Sequence, residues 1–267
     1  MTKPIPTSDI ITVIRDPRFP LGKQFSHKED GTIAKESAVS ISLGIAMQHH
    51  IPDIKALQDL ISEVSEDTHL AITNSVFPLI PIGEEFLILS EGEFLKRGIK
   101  RHDESVKWPV TEKYRGVEYP ALGRFKEHTA PSSWQLLDRD IDEHTPTYYA
   151  NLSYEEWLAE LDKLLPGISK CARLRAHSSS ARVSIDGVPV GGGNGHTWIQ
   201  LTKAADAERL RSVVKARAIE MGMTWKKPRH SRTTGEIVGH DVVSIIDWSV
   251  FTPGRLVFVG KPGVENV

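Results

Sequence analysis

Two short apolar runs, far apart in the chain, each lead into acidic residues. The first reads Trp134-Gln135-Leu136-Leu137 and continues as Asp138-Arg139-Asp140-Ile141-Asp142. The second reads Val242-Val243-Ser244-Ile245-Ile246 and continues as Asp247. Residues two apart on a strand face the same side, so a strand through the first run projects Asp138 and Asp140 together. Asp140 and Asp142 would also share a face, but Asp138 and Asp140 lie closer to the apolar run. Asp247, delivered by a neighbouring strand, completes a cage of hard oxygen donors. That cage suits Mg²⁺ or Mn²⁺, the ions that hold a triphosphate and activate a hydroxyl in nucleotidyl transfer. Asp-X-Asp alone is a weak signal. Solvated strand ends contain it, and metal-dependent glycosyltransferases use it to hold a nucleotide-sugar.

Other groups could serve the same chemistry. Gly191-Gly192-Gly193-Asn194-Gly195 lets the backbone pass close to something bulky, and His196 then begins an apolar alternation. His196 could donate to a phosphate oxygen, or be a structural histidine after a flexible hairpin. The stretch 173–182 combines alternating cations with a run of hydroxyls, and Ser178, Ser180 and Arg182 would form a phosphate-binding lip. An edge strand with polar gatekeepers reads the same way. Lys226, Lys227, Arg229 and Arg232 make a basic loop suited to a template backbone, or simply a solvated one. Arg255 could neutralise a phosphate or be an ordinary surface arginine.

These groups need elements to hold them. From Trp134 onward the expected order is a strand over 134–141, then a helix opened by the capping box Ser153-Tyr154-Glu155-Glu156. That helix presents Trp157, Leu158, Leu161, Leu164 and Leu165 and stops at Pro166-Gly167. Extended sequence over 170–183 follows, then a strand over 196–201 and a helix over 204–221 closed by Gly222. Strands over 242–246 and 256–259 end the series. The order β-α-β-β-α-β is that of a split βαβ, RNA-recognition-motif-like or ferredoxin-like sheet, in which the fourth strand lies beside the first. Asp247 on that fourth strand would then approach Asp138 and Asp140. The fold class expected is α+β, with this module over 126–267 packed on a mixed α/β subdomain over 1–125. Within the latter, Ile10-Ile11-Thr12-Val13-Ile14 reads as a strand and Asp30-Gly31 as a hairpin turn. Ile54, Leu57, Leu60, Ile61 and Val64 form a helical stripe. Residues 79–83 and 86–89 read as short strands, and 101–131 as a long connection.

Composition sets the surroundings. The 267 residues are 39% hydrophobic and 25% charged, ordinary for a soluble domain or two. A net charge of -2 leaves any nucleic-acid affinity to local basic clusters. One cysteine, Cys171, excludes an internal disulfide or a cysteine-rich zinc knuckle. Apolar runs are too short for a bilayer and the N-terminus lacks a signal-peptide core, so the expected location is cytoplasmic.

The motifs together resemble the archaeo-eukaryotic primase superfamily. Leu136-Leu137-Asp138-Arg139-Asp140 resembles its first motif, Asn194-Gly195-His196 its second, and Ile245-Ile246-Asp247 its third. The second motif usually reads Ser-X-His, so Asn194 is a departure. The continuation through Trp248-Ser249-Val250-Phe251-Thr252-Pro253-Gly254-Arg255 is similar to primase-polymerase domains of phages and plasmids, as is Ser178-Ser179-Ser180 ahead of a glycine-rich loop. The resemblance covers about half the chain. It implies a primase fold and a DNA primase/DNA polymerase that works in the host cytoplasm on single-stranded DNA from dNTPs or NTPs. Two divalent ions would be held by Asp138, Asp140 and Asp247, with His196 on the incoming triphosphate. Many such members carry a helicase, so a helicase domain or protein is a candidate partner, and the chain, stopping soon after the third motif, is expected to be a catalytic core, either expressed alone or cut from a longer protein. Two rivals stand beside it: the glycosyltransferase, and a non-catalytic single-strand binder or replication initiator that would stack bases on Trp134 and Trp198.

Overall fold

The computed structural model describes residues 9–22, 24–27, 33–36, 41–177, 184–185, 188–189, 195–231 and 233–265. The described residues form a mixed α+β structure with five α-helices. No described helix is long and apolar enough to cross a membrane.

The N-terminal strands are β1 (Ile10–Arg15), β2 (Gln24–His27), β3 (Ile33–Glu36), β4 (Leu43–His50), β5 (Leu70–Thr73), β6 (Ser75–Val76), β7 (Glu85–Leu89), β8 (Val110–Tyr114), β9 (Val117–Leu122) and β10 (Ala130–Pro131). Six of them make one sheet in the order β5-β1-β4-β7-β9-β8. It is mixed, because β7 pairs with β9 in parallel while its other pairs are antiparallel. Helix α1 (Ile54–Val64) forms where the apolar stripe predicts it. Asp53 caps it by accepting from the Ala56 N–H at 2.8 Å, and Leu57, Leu60, Ile61 and Val64 are buried. A short helix α2 (Glu91–Lys96) follows β7.

Two expectations for this half differ from the structure, and a third lies outside the described residues. Residues 79–83 are turns, not a strand, and the Gly83 N–H donates to the Gln48 carbonyl oxygen at 3.0 Å. The expected long connection over 101–131 contains the β8–β9 hairpin. Its two-residue turn, Arg115-Gly116, has φ of 49° and 89°, the positive values that suit strand twist in a tight hairpin. Asp30-Gly31 lies outside the described residues, although β2 and β3 pair antiparallel on either side of it.

The C-terminal elements are β11 (Trp134–Asp138), α3 (Thr147–Ala150), α4 (Tyr154–Leu164), β12 (Arg173–His177), β13 (Ser184–Ile185), β14 (Val188–Pro189), β15 (Gly195–Gln200), α5 (Asp206–Glu220), β16 (Thr224–His230), β17 (Ile237–Ser244) and β18 (Gly263–Glu265). Strands β11, β15 and β12 form an antiparallel sheet in that order. Both of its faces are covered, which is why β11 reads as a continuous apolar run. Trp134, Leu136 and Trp198 pack with α1, Ile11 and Ile72 in a core that includes residues of both halves. Leu137 and Ile199 face the other way, onto α4 and α5 through Trp157, Leu161, Val214 and Ala218. The Ser153–Glu156 capping box opens α4 in both its bonds. Gly222, with φ of 68°, follows the end of α5.

The expected fourth strand takes another course. Residues 242–244 belong to β17, which pairs with β16 in a separate two-stranded hairpin. The chain leaves that hairpin at Ser244, whose hydroxyl donates to the Ile246 carbonyl oxygen at 3.1 Å. The Ile245 carbonyl oxygen accepts from Trp157 Nε1 at 2.7 Å, drawing this segment onto α4. The stretch 256–259 contributes one bridge, Val257 to Ile72, rather than a strand. β18 returns to pair in parallel with β2.

Candidate functional site

Asp138 and His196 are direct cross-strand partners on β11 and β15. His196 Nε2 stands 4.0 Å from Asp138 Oδ1, and the histidine is 7% exposed. Their sheet face is that of Trp134, Leu136 and Trp198, by the two-residue alternation. Asp247 joins them through the backbone, since its N–H donates to the Asp138 carbonyl oxygen at 2.9 Å. The Asp247 carboxylate caps the short 3₁₀ turn Trp248–Phe251. One oxygen accepts from the Ser249 N–H and the other from the Ser249 hydroxyl, both at 2.8 Å. The turn is held from below, because Asn74 Nδ2 donates to the Val250 carbonyl oxygen at 3.3 Å and Phe251 is buried.

Asp140 does not continue the strand. The expected strand over 134–141 stops at Asp138, and Arg139 turns to donate to the Tyr149 and Ala150 carbonyl oxygens at 2.8 and 3.2 Å. Those carbonyls close α3, a favourable place for a cation. Asp140 therefore opens into a cleft of about 550 Å³ beside the β16–β17 hairpin. Asp142, Lys215, Lys227, Asp247 and Arg255 also line it, whereas Asp138 and His196 do not.

Within the cleft, Lys227 is ion-paired with Asp142 Oδ2 and lies 3.7 Å from Asp140 Oδ2. Asp142 is anchored by the His144 N–H at 2.9 Å and the Thr145 hydroxyl at 3.3 Å. Burial works to raise the Asp142 pKa. The hydrogen bonds from Lys227 and His144, with the charge of Lys227, outweigh it and hold the carboxyl below its usual range. The hydrogen bond to Asp142 raises the Lys227 pKa against the cost of burial.

The basic segment is thus strand rather than loop, and its cations divide. Lys227 and Arg229 share a strand face and meet acids, Arg229 standing 3.7 Å from Asp241. Lys226 points to the opposite face and is exposed. Ser178, Ser180, Arg182, Asn194 and Arg232 lie outside the described residues. Sequence reasoning passed over Lys215 and Asp241, and set Asp142 aside. For Asp142 the available signal was its two-residue spacing from Asp140. For Lys215, on the α5 surface with its ammonium 5.8 Å from the Trp248 ring centre, no local signal existed.

Asp138, Asp140 and Asp247 offer the oxygen donors that Mg²⁺ and Mn²⁺ take, and in chemistry the set fits such ions. Among the described residues, no three His, Cys, Asp or Glu side chains are already gathered into a metal-sized group. Comparison with protein-family models, with curated proteins and with solved structures returned no match.

Proposed function

We propose that this chain is a template-directed nucleotidyltransferase of the primase-polymerase kind, joining nucleoside triphosphates into a strand on single-stranded DNA. One observation carries the reading. Asp138, His196 and Asp247, from three distant parts of the chain, come together, with Asp138 and His196 paired across two strands and the Asp247 N–H bonded to the Asp138 carbonyl oxygen, while Asp140 opens into the adjoining cleft that Asp247 also lines. The strand order β11-β15-β12, with α4 and α5 on one face, also supports the split βαβ reading, although a backbone contact at Asp247 stands where the fourth strand was expected.

In this reading Asp138, Asp140 and Asp247 would hold the metal ions, and His196 and Arg255 would orient the triphosphate. When bound, Mg²⁺ or Mn²⁺ supplies charge neutralisation and a more acidic attacking hydroxyl. The protein's share is placement. β11 and β15 set Asp138 against His196 by register, and the Trp248–Phe251 turn sets Asp247 and Arg255 on one short segment. Positioned charge of this kind provides most of the acceleration in phosphoryl and nucleotidyl transfer.

The single-strand binder is disfavoured by its own candidate platform. Trp134 and Trp198 are 1% and 0% exposed, so neither can stack a base. The glycosyltransferase reading expects a parallel nucleotide-binding sheet, and the sheet carrying Asp138 is antiparallel. Primer synthesis on single-stranded DNA with labelled nucleotides and Mg²⁺ or Mn²⁺ tests the proposal. Product with the wild type that vanishes in Asp138→Ala/Asp140→Ala is the expected result. No product with either ion, with or without a supplied primer, overturns it.

A further inference from the structure

Arg124 lies two residues beyond β9, in the N-terminal half, far in sequence from the acidic and histidine segments. Its guanidinium donates through Nη1 to the Gly254 carbonyl oxygen at 2.8 Å. Gly254 immediately precedes Arg255, which lines the acid-bearing cleft. The approach is close. Gly254 has φ of 84°, and a Cβ there would come within 3.2 Å of the Arg124 carbonyl oxygen. The Gly254 N–H is held in turn by the Ser75 hydroxyl at 2.5 Å, itself 2.8 Å from the Thr73 hydroxyl. Ser75 and Thr73 are fully buried. The guanidinium is therefore tied by one part-buried bond to the segment bearing Arg255, and buried hydroxyls hold that segment in place.

The charge of this arrangement is unbalanced. Burial, and then the charge of Arg255, pushes the Arg124 pKa below its ordinary value, and no carboxylate acts on it in the other direction. Among the described residues Arg124 makes no ion pair, and its bond to Gly254 engages one of five guanidinium N–H donors. Arg124 does not itself line the cleft that Arg255 lines, but its guanidinium is bonded to the residue just before Arg255, and a half-buried cation without a carboxylate partner is costly unless something negative joins it. Contrast Lys227, whose acids are already in place.

We propose that Arg124 and Arg255 form a paired-guanidinium site for a phosphate group, with Arg124 the arm supplied by the N-terminal half. Guanidinium forks suit phosphate because their N–H groups meet two oxygens at once. The phosphate comes from the nucleoside triphosphate or from the DNA backbone. The inference rests on the nucleotidyltransferase reading.

Binding of two probes to the full chain tests it: dATP with Mg²⁺ by calorimetry, and a short single-stranded oligonucleotide by fluorescence anisotropy. The variants are Arg124→Gln, Arg124→Lys and Arg255→Gln. Arg124→Gln is expected to weaken one probe about tenfold or more, with Arg255→Gln doing likewise and Arg124→Lys falling between. A loss confined to dATP assigns the phosphate to the nucleotide, and a loss confined to the oligonucleotide assigns it to the template. Both support the site. Thermal melting identifies a variant that has failed to fold. Should Arg124→Gln do so, Arg124→Lys, which keeps the charge but loses the fork, decides the matter. Unchanged affinity for both probes in folded variants overturns the inference alone. A wild type that binds neither probe overturns the nucleotidyltransferase reading along with it.

Discussion

The backbone N–H of Asp247 donates to the carbonyl oxygen of Asp138 at 2.9 Å. Two acids from opposite ends of the C-terminal half are thus spaced by a main-chain bond, which side-chain substitution leaves in place. Asp138→Asn should cut templated synthesis by orders of magnitude while the melting temperature stays close to wild type. Asp247→Asn should do the same with a somewhat lower melting temperature, since the Ser249 cap is weakened by about 1 kcal/mol or less. Chelation of divalent ions should abolish synthesis by the wild type. Retention of near-normal synthesis by Asp247→Asn would remove it from the site.

The buried tryptophans make a stability prediction that also separates rival functions. Trp198→Ala removes a fully buried ring from the core that includes residues of both halves, and Trp134→Ala also loses the bond from Nε1 to the Ile51 carbonyl oxygen. Each should cost about 3–5 kcal/mol in denaturant unfolding. Trp198→Phe, which refills most of the space, should leave single-strand affinity unchanged. A large, selective loss of affinity in a stably folded Trp198→Phe would restore the stacking reading.

Lys226 and Lys227 are neighbours with opposite expected behaviour. Lys226 is exposed, whereas the Lys227 ammonium already sits on Asp142. If the hairpin contacts a template, Lys226→Ala should weaken single-strand binding and reduce the slope of log affinity against log salt by about 0.7. Lys227→Ala should leave that slope unchanged. Anisotropy titrations across a salt series distinguish the two.

His128 predicts a pH dependence unrelated to catalysis. It is 3% exposed, packed against Trp108 and Phe125 with ring centres 4.4 and 5.2 Å away, and its Nε2 has no hydrogen-bond partner among the described residues. Burial lowers its pKa, outweighing the Gly123 backbone bond and the charge of Glu127. A base whose folded pKa lies below its unfolded value lets the unfolded chain bind more protons. Its stabilising effect is complete above about pH 6.5 and is lost as pH falls from there through the lower folded value. Melting temperature measured from pH 8 to pH 5 should decline less steeply in His128→Phe than in the wild type. Parallel curves would show that His128 contributes nothing to the acid sensitivity.

What the sequence determined by itself was local. The stripe Ile54, Leu57, Leu60, Ile61, Val64 makes α1 because a 3.6-residue period places those side chains on one face. Ser153 and Glu156 open α4 because a capping box acts within one turn. The apolar runs before Asp138 and Asp247 likewise announced buried backbone delivering acids to an edge. The tertiary structure decided the rest, wherever distant groups compete for the same partner. Arg139 ends β11 by reaching the α3 carbonyls, which sends Asp140 to the cleft and leaves Asp138 with His196. Trp157 takes the Ile245 carbonyl, and with β16 pairing β17 upstream, the expected fourth strand becomes a hairpin and a turn. Lys227 finds Asp142, and Arg124 finds Gly254, across separations that no spacing rule spans. Local periodicity settles which residues are buried, but only the packed chain settles which charge faces which.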